Sequence, residues 1–131
     1  MKLVDTSVWI PFLRRKGEPG VKQHVANLIA ASEAAYTCPV RFELIAGALD
    51  QEMPGVTKAL SFSARIEMTR ADWDLAADAA NTLRAAGVTV PQDDLLIATV
   101  AMNRRIPVVC RDRHFEMIQT SVYPDFVVES I

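Results

Sequence analysis

The sequence predicts an α/β protein, a three-layer α/β/α sandwich built on a mainly parallel sheet. Three observations carry that expectation. Short apolar strands alternate with amphipathic helices, which favours parallel pairing. The strand segments are apolar at consecutive positions, as in Leu3-Val4 and Val108-Val109, which suits a sheet covered on both faces. The chain has 131 residues, half of them hydrophobic, which is the size of one ordinary domain with one core. A single domain over residues 1–131 is therefore expected, with no repeat, low-complexity tract or linker to divide it.

The elements follow in order. Lys2–Asp5 reads as a buried strand with an acid at its carboxyl end. Ser7–Leu13 begins on a hydroxyl and carries Val8, Ile10, Phe12 and Leu13, so a short helix is expected, with Thr6 and Ser7 suited to its N-cap. Arg14–Gly20 is a basic loop punctuated by Gly and Pro. Val21–Ser32 places Val21, Val25, Leu28 and Ile29 at helical spacing. Ala35–Cys38 is a second strand. Pro39 ends it and suits the first turn of a helix carrying Phe42, Leu44, Ile45, Ala48 and Leu49. Gln51–Phe62 holds another helix near Pro54-Gly55, and Arg65–Met68 a third strand. Thr69 with Asp72 forms a capping box for a helix through Leu75, Ala76, Ala79, Ala80 and Leu83. Gly87 stands where a C-cap glycine belongs. Pro91–Arg105 gives a helix on Leu95, Leu96, Ala98, Thr99 and Met102. Ile106–Cys110 is a fourth strand, Arg113–Gln119 a short helix and Phe126–Glu129 a closing strand.

Charge excludes one class of function. The 14 Lys+Arg and 16 Asp+Glu give a net charge of −2. A protein that blankets phosphates is usually basic overall, so any nucleic-acid chemistry must be local. No apolar run approaches the roughly 18–20 residues of a membrane span. The N-terminus lacks a basic segment followed by an apolar one. Cys38 and Cys110 offer neither a disulfide framework nor a Cys-x-x-Cys knuckle; both read as buried free thiols. A reduced, cytoplasmic setting is expected.

Four acids fall where an open α/β sheet puts its ligand site, outside the carboxyl ends of the strands. Asp5 ends the first strand, and Asp112 follows the fourth by two residues. Glu43 lies in the first turns of the helix leaving the second strand. Asp94 opens a helix with no strand assigned just before it. Crowded carboxylates repel and must protonate or share a cation. Oxygen donors without His or Cys among them favour Mg²⁺ or Mn²⁺ over zinc. His24 and His114 are expected outside the acid positions, with His114 structural. Caps and solvated acids give the same pattern, so spacing alone leaves a metal site open.

Local sequences sharpen this. Val4-Asp5-Thr6-Ser7-Val8-Trp9-Ile10 resembles the opening motif of PIN-domain nucleases, especially the VapC-type toxins of toxin–antitoxin pairs. Phe42-Glu43-Leu44-Ile45-Ala46-Gly47 is similar to their second motif. Asp94-Leu95-Leu96-Ile97-Ala98-Thr99-Val100-Ala101 is similar to the third, and Arg111-Asp112-Arg113-His114-Phe115 to the fourth. The motifs occur in family order and span Val4 to Phe115. The resemblance implies a PIN fold and a divalent-metal-dependent endoribonuclease acting on structured RNA such as tRNA or rRNA. It implies Asp5, Glu43, Asp94 and Asp112 as catalytic, metal-site acids, with Mg²⁺ (or Mn²⁺) as cofactor. Thr6 or Ser7 would line the site. A small VapB-like antitoxin and a homodimer are the implied partners. Two departures stand out: Cys110 replaces the Thr or Ser often found two residues before the fourth acid, and Asp93 precedes Asp94, which makes Asp93 a supporting acid at the helix start.

Setting the four acids aside leaves 12 of the 16 against 14 bases. Arg14, Arg15, Lys16, Arg111 and Arg113 are the local cations suited to RNA phosphates, with pairing to nearby acids equally open for Arg111 and Arg113. Trp9 reads as core, Trp73 as core or interface, and the Ala76–Ala86 face as tight packing or a dimer surface. The alternatives are a stand-alone PIN-domain RNA-processing nuclease, a silent binding module and a phosphoreceiver-like Mg²⁺ domain. The last wants an acid after the third strand and a lysine after the last; Thr69-Arg70 stand in the first place, and no Lys follows Lys58.

Overall fold

A computed structural model describes residues 1–131. Five strands form one parallel sheet: β1 (Lys2–Val4), β2 (Ala34–Thr37), β3 (Ala64–Ile66), β4 (Val108–Cys110) and β5 (Val128–Ser130), in the order β3-β2-β1-β4-β5. Seven helices connect them: α1 (Thr6–Leu13), α2 (Pro19–Ala30), α3 (Cys38–Gly47), α4 (Met53–Ser61), α5 (Arg70–Ala85), α6 (Gln92–Arg104) and α7 (His114–Ser121). Leu3 and Val4, and Val108 through Cys110, are all fully buried. Successive strand residues face opposite sides, so helices cover the sheet on both faces, as a three-layer sandwich requires. Every registered pair is parallel, with Leu3 beside both Ala35 and Val108.

The strand order decides where a site forms. The chain runs outward from β1 through β2 to β3, then returns to the other side of β1 for β4 and β5. Connections leaving β1 and β4 therefore diverge, which opens a crevice at their carboxyl ends. The Asp5 N–H still bonds the Val109 carbonyl at 3.0 Å, so Asp5 stands at the last rung beside β4.

Several local expectations need correction. Pro19 and Gly20 begin α2 rather than close the basic loop, because Pro suits the first helical turn. Cys38 is the first residue of α3 and only half-buried, not a buried strand thiol; Cys110 is buried. Trp73 is 54% exposed, which removes the core reading and leaves the interface one, whereas Trp9 is fully buried. β5 starts at Val128; Phe126 is a buried anchor before it. Gly17 is required by close approach: a Cβ there would stand 1.8 Å from the Pro11 carbonyl oxygen.

One buried ion pair ties α5 to α6. The Thr69–Asp72 capping box is complete, each side chain bonding the other's backbone N–H. Asp72, only 1% exposed, also accepts two bonds from Arg104 at 2.9 and 2.8 Å and one from Asn103 at 2.7 Å. Burial raises the Asp72 carboxyl, yet the donors from Arg104, Thr69 and Asn103 outweigh it and hold it well below the usual range. Ala76 and Ala79 are buried on the same helix, as the small-residue spacing requires.

Candidate active site

Asp5 caps α1. Its Oδ2 accepts the Ser7 backbone N–H at 3.0 Å, so the acid rather than the Thr6 or Ser7 hydroxyl fills the cap. That releases both hydroxyls for other partners. Thr6 Oγ1 donates to Glu43 Oε2 at 2.8 Å, joining α1 to α3. Ser7 Oγ accepts the Arg111 backbone N–H at 3.0 Å, pinning the loop after β4 against α1.

Asp112 lies in that loop. Its Oδ1 accepts the His114 backbone N–H at 2.9 Å, an Asx turn that starts α7. Asp94 reaches the same place from the first turn of α6, with an exposed Asp93 beside it. His114 closes the group: Nδ1 lies 3.1 Å from Asp94 Oδ2 and 3.4 Å from Asp112 Oδ1. One donor atom from each of Asp94, Asp112 and His114 lies within 4.8 Å of the others.

Sequence reading placed His114 outside the acid positions, and the structure overturns that. The Asx turn fixes its backbone N–H on Asp112, so the first turn of α7 brings its ring onto the acids. An Asp followed two residues later by His at a helix start carries that signal. An imidazole nitrogen therefore stands among the carboxylate oxygens.

The carboxylates act on one another electrostatically. Burial raises the Asp94 carboxyl, and the charges of Asp5, Asp112, Glu43 and Asp93 raise it further, to about 7. Burial also raises Asp5, opposed by its Ser7 bonds and reinforced by Asp112. Burial, then Asp112 and Asp5, push the Cys110 thiol up to about 12. Cys110 is therefore a neutral thiol near pH 7, with Sγ 3.7 Å from the Asp112 carbonyl. It is no thiolate nucleophile.

The basic residues divide. Arg111 makes two 3.0 Å bonds to Glu18 at the start of α2, so it pairs with an acid. Arg14, Arg15, Lys16 and Arg113 are exposed and make no salt bridge. Arg14 and Glu43 line a groove of about 340 Å³, whose walls include Ile10, Leu13, Leu44 and Val56.

The family model for the PIN domain matches residues 2–120. The chain belongs to the PIN domain family. PIN domains are nucleases that use divalent metal ions, and Asp5 and Asp112 follow β1 and β4, the two strands at this sheet's switch point. No curated protein matches the chain in sequence. Among solved structures, it is similar to DNA-bound VapBC from Salmonella typhimurium at 17% identity and TM-score 0.81, covering 98% of this chain and 96% of that one. VapBC2 from Rickettsia felis, bound to a promoter DNA fragment, matches at 16% identity and TM-score 0.80, covering 99% and 98%. VapBC-5 from Mycobacterium tuberculosis matches at 20% and 0.66, covering 99% and 98%. At these identities the likeness to solved structures is one of PIN fold. No helix is long and apolar enough to cross a membrane.

Proposed function

We propose that this PIN domain is the ribonuclease toxin of a toxin–antitoxin pair, cutting structured cellular RNA such as tRNA or rRNA with Mg²⁺ or Mn²⁺. The observation that carries the reading is the grouping of Asp94, Asp112 and His114 within 4.8 Å, with Asp5 and Glu43 near enough for their charges to raise the Asp94 carboxyl. The residues fit a hard cation: oxygen donors dominate, and burial, with the neighbouring carboxylates adding to it, raises the Asp94 and Asp5 carboxyls, a cost that a shared cation relieves. Asp5 and Asp94 would hold it, with Glu43 and Asp112 direct or through water. The bound ion supplies charge neutralisation and an acidified water for phosphodiester hydrolysis.

The chain's own residues do the positioning. Thr6 orients Glu43, Ser7 fixes the loop bearing Asp112, and Asp93 supports the start of α6. Exposed Arg14, Arg15, Lys16 and Arg113 supply phosphate contacts around the rim. Arg111 acts through its Glu18 pair by holding the α2 start beside that rim. The groove beside Glu43 is the surface offered to a small VapB-like antitoxin, in a cytoplasmic homodimer. Its support is the fold shared with VapBC proteins and the apolar walls next to the acids. Incubating the purified chain with tRNA and rRNA tests the reading. Discrete cuts with Mg²⁺ or Mn²⁺, lost with chelator, are expected; intact RNA under every metal condition contradicts it.

Two further outcomes follow. Thr6→Val keeps the side-chain shape but removes the donor to Glu43, so cleavage is expected to slow about tenfold, near 1.4 kcal/mol, with an unchanged melt. A rate equal to wild type contradicts the positioning role. The Asp94 carboxyl near 7 sets the pH dependence. Folded Asp94 keeps a proton between roughly pH 4 and 7 that the unfolded chain has released, so its contribution to metal-free stability falls as pH rises through that window. Cation binding must displace this proton. Mg²⁺ affinity by calorimetry is expected to fall about tenfold per unit below pH 7; a flat profile from pH 5.5 to 7.5 contradicts it.

A further inference from the structure

We propose that His114 is a nitrogen donor to the cation at the acid rim, giving this centre a preference for Mn²⁺ over Mg²⁺. The inference rests on the reading above, that the four carboxylates hold a divalent cation. Nδ1 of His114 is the ring atom turned toward the acids, 3.1 Å from Asp94 Oδ2 and 3.4 Å from Asp112 Oδ1. A six-coordinate cation with donors at about 2.1 Å holds neighbouring donors about 3 Å apart. The 3.1 Å separation equals that spacing and the 3.4 Å one lies a few tenths of an ångström beyond it, so the ring is within reach of a cation shared with both acids.

The backbone keeps it there. Asp112 Oδ1 accepts the His114 N–H at 2.9 Å, which locks residue 114 to one of the acids it faces. The side chain is one-third exposed and those of Asp94 and Asp112 less so, so solvent reaches the group. Carboxylates suit Mg²⁺ and Mn²⁺ alike, whereas imidazole suits transition ions. A single imidazole among carboxylates therefore separates two cations that oxygen donors alone treat similarly. A plain hydrogen bond from the ring to Asp94 gives the same distances without any such preference, and this is the outcome the experiment separates.

The test uses the purified chain loaded with Mn²⁺ alone, read by electron spin-echo modulation of the bound ion. Nitrogen modulation is expected in wild type and in His24→Gln, and is expected to vanish in His114→Gln. In competition titrations, His114→Gln is expected to lower the Mn²⁺-over-Mg²⁺ preference at least about tenfold. Bound Mn²⁺ without nitrogen modulation in wild type overturns the proposal while leaving the carboxylate site intact. Modulation that survives in His114→Gln also overturns it. A wild-type chain that binds no Mn²⁺ overturns the metal-site reading itself.

Discussion

Replacing Asp5 with Asn is expected to lower metal-dependent RNA cleavage by at least about 10³-fold, some 4 kcal/mol of transition-state stabilisation, while the fold survives. Asp5 is buried at the last rung between β1 and β4, and its carboxyl is raised chiefly by that burial. Asn has the same shape and caps a helix as well as Asp, so the bond from the Ser7 N–H persists. It lacks the charge that draws a cation and no longer opposes Asp112 and Asp94. The melting temperature of the metal-free variant is therefore expected to hold or rise. Rates on tRNA with Mg²⁺, beside thermal melts, check both halves. Full activity in contaminant-free protein contradicts the assignment of Asp5.

Arg104→Ala is expected to cost about 3–5 kcal/mol of stability, read as a lower urea midpoint. The substitution strands Asp72 in the core without its guanidinium partner. An uncompensated buried charge is expensive, whereas replacing both partners is often mild. The double variant Asp72→Asn, Arg104→Met is accordingly expected to recover much of the loss. The depressed Asp72 carboxyl sets the pH response. Its contribution is complete above the unfolded value near 4 and is lost as pH falls through the lower folded value. The pair matters to the site because α6 carries Arg104 at one end and Asp94 at the other. A midpoint unchanged in Arg104→Ala contradicts the account of this anchor.

Much of this architecture was legible because it is written in local patterns. Leu3-Val4 and Val108-Val109 marked buried parallel strands, and their neighbours Asp5 and Asp112 marked the rim. The Thr69–Asp72 box and Gly87, at φ +72°, bounded α5 within a residue or two. What escaped were partners joined only by the fold. Asp72 read as a cap, but Arg104 lies 32 positions on. Arg111 and Glu18 stand 93 positions apart, with no periodicity linking them. Asp94 had no strand before it, because α6 reaches the rim directly from α5. His114 was misread because its ring position depends on the Asx turn at Asp112, a geometry that composition does not display.

The acid rim is expected to cut RNA. Sequencing of RNA 5′ ends after brief expression of wild type beside Asp5→Asn tests it most directly. New ends at a few defined positions in structured RNA, present with wild type and absent with Asp5→Asn, are the expected result. Identical 5′ ends in the two samples, with both proteins folded and equally abundant, would contradict it.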